Sequence, residues 1–304
     1  MADLSIFKNV KLPEFRRSKD LSDRVGQFML ASYILFFLLF LVLPLGTLIM
    51  KSVQDQKGNF IGLKNYLLYL QEPALFQSFF NSLFIAIVST IIVVLLAFSF
   101  AYALTRTCIP FKGFFRLVAL IPLLSPSILA AIALVYWFGN KGILKALLFG
   151  NSIYGPIGII FASVYWTFPH ALMILSTSLS LSDSRLYEAA EVLKTSRLRA
   201  FLTITIPGAR YGIISASFVI FTQVFTDFGV PKVIGGNYNM LATDIYKEVV
   251  GMQNFQMGAV ISLVLLLPSL FAFFIDQYSR KKQISLLTSQ SVVFKPKKSF
   301  GVDN

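Results

Sequence analysis

The chain has 304 residues, of which 56% are hydrophobic and 13% are charged, and its mean hydropathy is +0.72. Soluble domains carry roughly a quarter charged residues, so this composition excludes a soluble enzyme or a soluble binding domain. The single cysteine excludes an intramolecular disulfide, the single histidine excludes a multi-histidine site within the chain, and the net charge of +13 would suggest nucleic acid only in a soluble protein.

Six apolar runs are each long enough to cross a bilayer, which takes about 20 mostly apolar residues. In chain order they are Phe28–Met50, Phe79–Leu104, Phe114–Phe138, Ile157–Leu179, Tyr211–Val230 and Met257–Tyr278. A span must satisfy its own backbone hydrogen bonds in lipid, so each run predicts a helix. The predicted fold class is an all-α membrane protein with six transmembrane helices. Proline removes a backbone donor and bends a helix, and five prolines lie within the runs: Pro44, Pro122, Pro126, Pro169 and Pro268.

The basic residues indicate the orientation of these helices. If the N-terminus is cytoplasmic, lysines and arginines of the inner segments outnumber those of the outer segments nearly three to one, as expected for cytoplasmic loops. This distribution accounts for the net charge without nucleic acid, and six spans place both termini in the cytoplasm. We therefore predict a basic leader over residues 1–27, a transmembrane domain over residues 28–278 and a basic tail over residues 279–304.

The longest predicted cytoplasmic loop, residues 181–207, has the pattern of an amphipathic helix. A helix cap is available from any of three neighbouring residues: Ser182, Asp183 and Ser184. Four residues at helical spacing share one apolar face: Leu186, Ala189, Ala190 and Leu193. Pro207 is predicted to end a second short helical run before the fifth span. Such a helix could fit a groove on a partner protein or rest on the inner leaflet.

This loop resembles the EAA loop of the permeases of ABC importers. The pattern of that loop is Glu-Ala-Ala, three residues, Gly, nine residues, Ile, any residue, Leu and Pro. The residues that match in register are Glu188, Ala189, Ala190, Ile204 and Pro207. Ile206 conservatively replaces the leucine. Lys194 replaces the glycine, which would permit a turn between two short helices.

The resemblance implies the architecture of a type I importer permease, in a bacterial inner membrane. In that family the loop forms a coupling helix that docks on a cytoplasmic ATPase. The residues expected to serve the coupling here are Glu188, Ala189, Ala190, Leu193, Lys194, Ile204 and Pro207. The chain contains no phosphate-binding loop of the form Gly-x-x-x-x-Gly-Lys-Ser/Thr. ATP is therefore expected on separate ATPase subunits, and this chain is expected to be a non-catalytic permease subunit without a cofactor. The other expected partners are a second permease half, an extracytoplasmic binding protein and membrane lipid.

Residues 225–246 resemble the permeases for 2-aminoethylphosphonate uptake and, more broadly, the ferric-iron and polyamine permeases. Some of those permeases are long chains with two permease halves, and this chain looks like the first half alone. The candidate residues of a substrate pathway are Asp227, His170, Gln223 and Thr167. Asp227 could meet an ammonium group or ferric iron, or it could cap the turn at Gly229–Pro231. The other three could line the pathway or bond a neighbouring helix.

Two other classes of membrane protein compete with this interpretation. A secondary transporter or channel would need paired charges within the membrane or broken helices in inverted repeats, and the sequence offers one carboxylate candidate and no evident repeat. A membrane enzyme would need a cluster of histidine, aspartate or glutamate, or an activated nucleophile. One histidine and one cysteine argue against it.

Overall fold

The computed structural model describes residues 21–286, and within that range every regular segment is a helix. The α-helices are α1 (Leu21–Phe37), α2 (Leu43–Ser52), α3 (Lys64–Gln71), α4 (Pro73–Arg106), α5 (Lys112–Leu120), α6 (Ser127–Phe138), α7 (Pro156–Ser180), α8 (Ser184–Val192), α9 (Arg197–Ala200), α10 (Ile206–Phe225), α11 (Gly229–Ile234), α12 (Leu241–Tyr246) and α13 (Phe255–Leu286). The predicted all-α fold is confirmed. The predicted leader up to residue 20 and the predicted tail beyond residue 286 lie outside the described residues.

In the part of the chain that the structure describes, five helical stretches are long and apolar enough to cross a membrane. They are Arg24–Ser52, Pro73–Arg106, Pro156–Ser180, Arg197–Phe225 and Phe255–Ser279. Each overlaps one of the six predicted spans. The part of the first stretch up to Met50 forms a separate unit. The apolar side chains of this stretch are exposed along its length, as expected for a helix in contact with lipid.

The predicted third span is not one straight helix. The segments Lys112–Leu124 and Ser127–Phe138 meet at 102°, and a 3-10 turn over Ile121–Leu124 precedes the break. Pro122 and Pro126 flank Ser125 at this point, and each removes a backbone donor that a continuous helix would use. Residues 21–286 therefore contain five continuous candidate spans, or six if the bent pair counts as one.

Two other prolines follow wide helical turns. The N–H of Leu43 bonds to the carbonyl of Leu38 immediately before Pro44, and the N–H of Ile206 bonds to the carbonyl of Phe201 immediately before Pro207. These i to i+5 turns are π-bulges, and such a turn gives room for a proline ring that lacks an N–H. The prediction that Pro207 ends a short helix is therefore wrong. Arg197–Phe225 is one continuous helical stretch, with Pro207 in the first turn of α10.

The centre of the second unit, which begins at residue 51, is built from four long helices. Helix α10 packs against α4, α7 and α13, and α4 also packs against α7. The contacts use small residues, as is usual between membrane helices. At Gly212 of α10 an added Cβ would overlap the side chain of Ser178 on α7, whereas at Gly208, one turn earlier, it would meet Ser182 at 3.8 Å. The close approach of α7 and α10 therefore depends on Gly212.

The segment between α10 and α13 is fastened to the start of α4. The side-chain amide of Asn81 donates to the carbonyl of Asn239 at 2.9 Å, and the N–H of Leu241 donates to the hydroxyl of Ser82 at 2.9 Å. Helix α11 packs against α6 and α7, and α12 packs against α13 and α4. These contacts hold the short helices α11 and α12 near the C-terminal end of α10. That end of the bundle is opposite to the end that carries α8.

Candidate functional site

Helix α8 begins at a side-chain cap. The carboxylate of Asp183 accepts a hydrogen bond from the N–H of Arg185 at 3.0 Å, which satisfies one of the unpaired donors at the start of a helix. Of the three residues that the sequence offered as a cap, Asp183 is the one that serves. The start of the helix is thus fixed by its own sequence.

Helix α8 ends in a Schellman turn around Lys194. The N–H of Lys194 donates to the carbonyl of Glu191 at 3.0 Å, and the N–H of Thr195 donates to the carbonyl of Ala190 at 2.9 Å. Lys194 has φ +50°, the left-handed conformation that this turn requires at that position and that glycine adopts most easily. The turn that glycine would permit in the EAA pattern is therefore formed here by a lysine.

Tyr187 and Arg106 tie α8 to the ends of three long helices. The hydroxyl of Tyr187 lies 3.0 Å from the hydroxyl of Thr205, just before α10. The guanidinium of Arg106, at the end of α4, lies 4.6 Å from the centre of the Tyr187 ring, within the range of a cation–π contact. Arg106 also donates to the carbonyl of Leu179 at 2.7 Å, at the end of α7, and to the hydroxyl of Ser182. Sequence reasoning missed this network, because Arg106 counted there only as a cytoplasmic basic residue.

The outward side of α8 is apolar and exposed. Leu186 is 55% exposed, Val192 83% and Leu193 77%, and Ala189 is also exposed. Ala190 is only 9% exposed, so the prediction that it shares the free face with its neighbours is wrong. Large apolar side chains on a short helix with this much exposure mark a surface that a partner or a membrane would cover.

The remaining predicted coupling residues occupy different places around this helix. Glu188 is exposed on α8, Ile204 is half-buried in the π turn after α9, and Pro207 is exposed at the start of α10. The EAA pattern thus spans two connected segments: the capped helix that presents Glu188 and the wide turn that starts α10.

Asp227 lies in the turn between α10 and α11, and its carboxylate is engaged within the protein. One oxygen accepts a hydrogen bond from the hydroxyl of Ser127 at 2.6 Å and from the N–H of Gly229 at 3.3 Å, and the other accepts from the N–H of Val230 at 2.9 Å. Ser127 is the first residue of α6. This geometry favours the turn-capping role of Asp227 and adds a link to the bent pair that the sequence did not reveal.

The other three predicted pathway residues lie in α7 and α10 and make few polar contacts. The buried hydroxyl of Thr167 donates to the carbonyl of Ser163 at 2.6 Å, and the ring of His170 lies 6.0 Å from that of Trp166 in an edge-on arrangement. His170 has a polar contact with the backbone of Trp166, and Gln223 Oε1 is buried without a hydrogen-bond partner among the described residues. No hydrogen bond within residues 21–286 joins the four candidates to one another, so their role in a pathway stays a prediction.

Acidic residues gather near α12. Asp244 is 4% exposed, and its carboxylate lies 3.4 Å from the ammonium of Lys247. Burial raises the pKa of the Glu248 carboxyl, a hydrogen bond from Asn254 opposes the rise, and the charges of Asp244 and Glu72 add to it. The described residues contain no group of three or more His, Cys, Asp or Glu placed to hold a metal ion.

These observations define a multi-pass α-helical membrane protein with a capped helix exposed at one end of its helix bundle. The profile of the family described as "Binding-protein-dependent transport system inner membrane component" matches residues 106–284. The chain belongs to this family of ABC importer permeases, whose members lie in the inner membrane.

Curated relatives include permeases for two kinds of cargo. The ferric transport system permease protein FbpB 1 of Haemophilus influenzae is 30% identical over 66% of this chain, and FbpB of Actinobacillus pleuropneumoniae is 29% identical over 66%. The matched regions cover only 32% and 30% of those two proteins, so this chain corresponds to about a third of their lengths. The spermidine/putrescine permease PotB of Escherichia coli is 26% identical over 67% of this chain and 77% of its own.

Solved structures share the fold. A bacterial ABC transporter that imports the acidic polysaccharide alginate matches with a TM-score of 0.66 and 15% identity, over 88% of this chain and 97% of its own. An amino acid ABC transporter matches with a TM-score of 0.52 and 16% identity, over 73% of this chain and 99% of its own. These likenesses establish the type I permease fold.

Proposed function

We propose that this chain is the membrane-spanning subunit of an importer in which helix α8 docks on a separate ATPase subunit. The observation that carries the proposal is the two-sided character of α8. Tyr187 and Arg106 attach its inward side to the long helices. Leu186 and Leu193 are exposed on its outward side. Such a helix suits the transmission of a movement better than the simple covering of a membrane surface.

The contacts of α8 give a route by which a displacement would reach the bundle. Asp183 caps one end of the helix and the turn at Lys194 fixes the other, so the helix moves as one piece. A pull on it acts on α10 through the bond between Tyr187 and Thr205. It acts on α4 and α7 through Arg106. ATP-driven movement of the docked helix would in this way change the packing of α4, α7 and α10, which form the centre of the bundle.

The remaining parts of the proposed assembly rest on the sequence and on its resemblance to importer permeases. The distribution of lysine and arginine supports cytoplasmic termini and a cytoplasmic α8, with a transmembrane domain over residues 28–278 and a coupling segment over residues 181–207. The chain carries no phosphate-binding loop for ATP, so hydrolysis is assigned to a partner. The proposed assembly contains two ATPase subunits, a second permease half and an extracytoplasmic binding protein that delivers the substrate. The chain itself is proposed to be non-catalytic.

The proposed substrate is 2-aminoethylphosphonate, and its support is the resemblance of residues 225–246 to permeases for that compound. Ferric iron is the second candidate, because two relatives at 30% and 29% identity are ferric permeases. PotB, named for spermidine and putrescine, extends the range of related cargo to polyamines. Binding-protein-dependent importers leave most of their selectivity to the binding protein, so the cargo is best decided by transport.

The test is uptake in strains with and without this gene. Labelled 2-aminoethylphosphonate and ferric iron are supplied separately, and loss of phosphonate uptake alone would support the first substrate. Loss of iron uptake alone would assign the chain to the ferric group and leave the architecture standing. Loss of neither would reject both substrates.

The docking role is tested in the same strains by Glu188→Lys. This exposed position on α8 can accept a lysine without loss of folding, so we expect a normal amount of protein in the membrane and no uptake. Arg185→Lys, a change that keeps the charge on the same helix, is the control and should preserve uptake. Normal uptake by a well-expressed Glu188→Lys strain would reject docking through this residue.

A further inference from the structure

A basic cavity lies beside the coupling segment, at the same end of the bundle as α8. It has a volume of about 450 Å³ and lies between the end of α4, the start of α5 and the end of α7. Three cationic side chains contribute to its lining, Arg106, Lys112 and Arg116, together with the serines 176 and 180. None of the described lining residues is acidic. Three positive charges without a carboxylate make a site suited to an anion.

A second and independent feature is a buried polar residue in the lining of the same cavity. Ser176 is only 8% exposed, and its hydroxyl is buried without a hydrogen-bond partner among the described residues. A buried hydroxyl without a partner is unfavourable, and such groups are normally satisfied by protein, water or a ligand. An oxyanion in the cavity would accept hydrogen bonds from the cations. A rotation of the Ser176 side chain toward the cavity would add a further donor and satisfy its hydroxyl.

The surroundings of the cavity indicate where the anion comes from. Helix α5, which supplies Lys112 and Arg116, is strongly apolar on its other faces: Phe111 is 78% exposed, Phe114 61% and Leu117 67%. Lys112 lines the cavity and donates to the carbonyl of Thr107 in the turn before α5, which restricts the positions that its ammonium can take. Cations beside exposed apolar side chains at a helix end fit a phospholipid, with its phosphate among the cations and its acyl chains along α5.

We propose that this cavity binds a phosphate-type oxyanion, and that the source is the headgroup of an anionic phospholipid of the inner leaflet. The choice of leaflet rests on the proposed cytoplasmic position of α8, which lies at the same end of the bundle. Arg106 belongs to the cavity and also holds Tyr187 of α8. The lipid would therefore lie against the same side chain that fastens the coupling helix, and its binding would stiffen that attachment.

The experiment uses the full-length chain purified in detergent. Retention of phosphatidylglycerol and of phosphatidylcholine is measured by native mass spectrometry during lipid titration, and inorganic phosphate is titrated in parallel while thermal unfolding is followed. The test variant is Lys112→Gln with Arg116→Gln. The matched control is Arg197→Gln with Arg199→Gln, which removes the same charge from exposed positions on α9, outside the cavity.

We expect wild type to retain phosphatidylglycerol in preference to phosphatidylcholine. A basic residue near an anionic lipid surface is worth roughly a fivefold change in affinity, so the test variant should lose about 25-fold and the control little. Ser176→Ala removes the buried hydroxyl without changing the charge. This variant should retain phosphatidylglycerol more weakly than wild type, while its unfolding temperature without lipid should be equal to that of wild type or higher. That variant keeps the proposal testable if the double variant fails to fold.

The other outcomes are equally definite. Protection by millimolar inorganic phosphate, lost in the test variant and without a preference for phosphatidylglycerol, would support the oxyanion site and reject the lipid as its source. Equal loss of lipid in the test variant and the control, or no binding of either probe, would overturn the proposal. The measurement involves no transport, so its failure would be distinguishable from a failure of the proposed importer function.

Discussion

Replacing Lys194 by glycine is predicted to stabilise the turn that ends helix α8. Lys194 holds φ +50°, and a left-handed conformation costs a residue with a Cβ roughly 1–2 kcal/mol. Glycine avoids this cost, but it also makes the unfolded chain more flexible, and the extra entropy lost on folding destabilises the folded state by roughly 0.5–1 kcal/mol. The central values of these two ranges leave a net stabilisation of about 0.75 kcal/mol for the turn between α8 and α9.

Hydrogen exchange measures this change where it occurs. The N–H of Thr195 bonds across the turn to the carbonyl of Ala190, so its exchange reports local opening. With about 1.4 kcal/mol equal to a factor of ten, exchange in the peptide that contains Thr195 should slow by roughly two- to fivefold in Lys194→Gly. Lys194→Ala removes the same charge but keeps the Cβ, and it should give no such protection. Equal protection in both variants, or faster exchange in Lys194→Gly, would refute a conformational origin of the effect.

Three further predictions concern the bundle and its outer end. Gly212→Ala should lower the thermal stability of the purified chain, since overpacking costs about 1–3 kcal/mol, while Gly208→Ala, one turn earlier, should change it little. Equal effects of the two substitutions would contradict the close approach of α7 and α10. Asp227→Ala leaves the groups that bond its carboxylate unpaired and should cost about 2 kcal/mol or more of stability, measured by thermal unfolding, and an unchanged stability would reject the turn-capping role. Glu248→Gln should raise the unfolding temperature at neutral pH, because burial and nearby carboxylates raise the pKa of this group and the charged form is the disfavoured one. The gain should shrink as the pH falls and protonates the wild-type carboxyl, and a gain that grows toward acid pH would contradict burial and like charge as its cause.

The positions of the spans could be predicted because a membrane helix depends on a local property, a long run of apolar residues. Each straight candidate span overlaps a predicted run. The effect of each proline could not be predicted in the same way. Pro169 and Pro268 lie inside continuous helices, whereas the helix is interrupted at Pro122 and Pro126. A single proline leaves one donor missing, while two prolines close together remove donors on both sides of one turn.

The candidate site was predictable where its signal lies within one segment. The EAA pattern located α8, and the cap at Asp183 follows from residues beside it. The attachment of that helix was not predictable, because Tyr187 meets Arg106 from a distant helix. The same holds for Asp227, whose partner Ser127 lies a hundred residues earlier in the chain. Contacts of this kind depend on how helices are arranged in space, which neither periodicity nor motif spacing reports.

Site-specific photo-cross-linking from α8 tests the central claim most directly. A photoreactive residue replaces Leu193, which is 77% exposed at the C-terminal end of α8, or Ile143, which is 89% exposed between α6 and α7. The products are identified in cells that express the whole transporter. Docking of α8 predicts that position 193 labels the transporter's ATPase subunit and that position 143, on the predicted outer side, does not. Labelling of phospholipid alone from position 193 would contradict docking, because it would place α8 on the inner leaflet instead of on an ATPase.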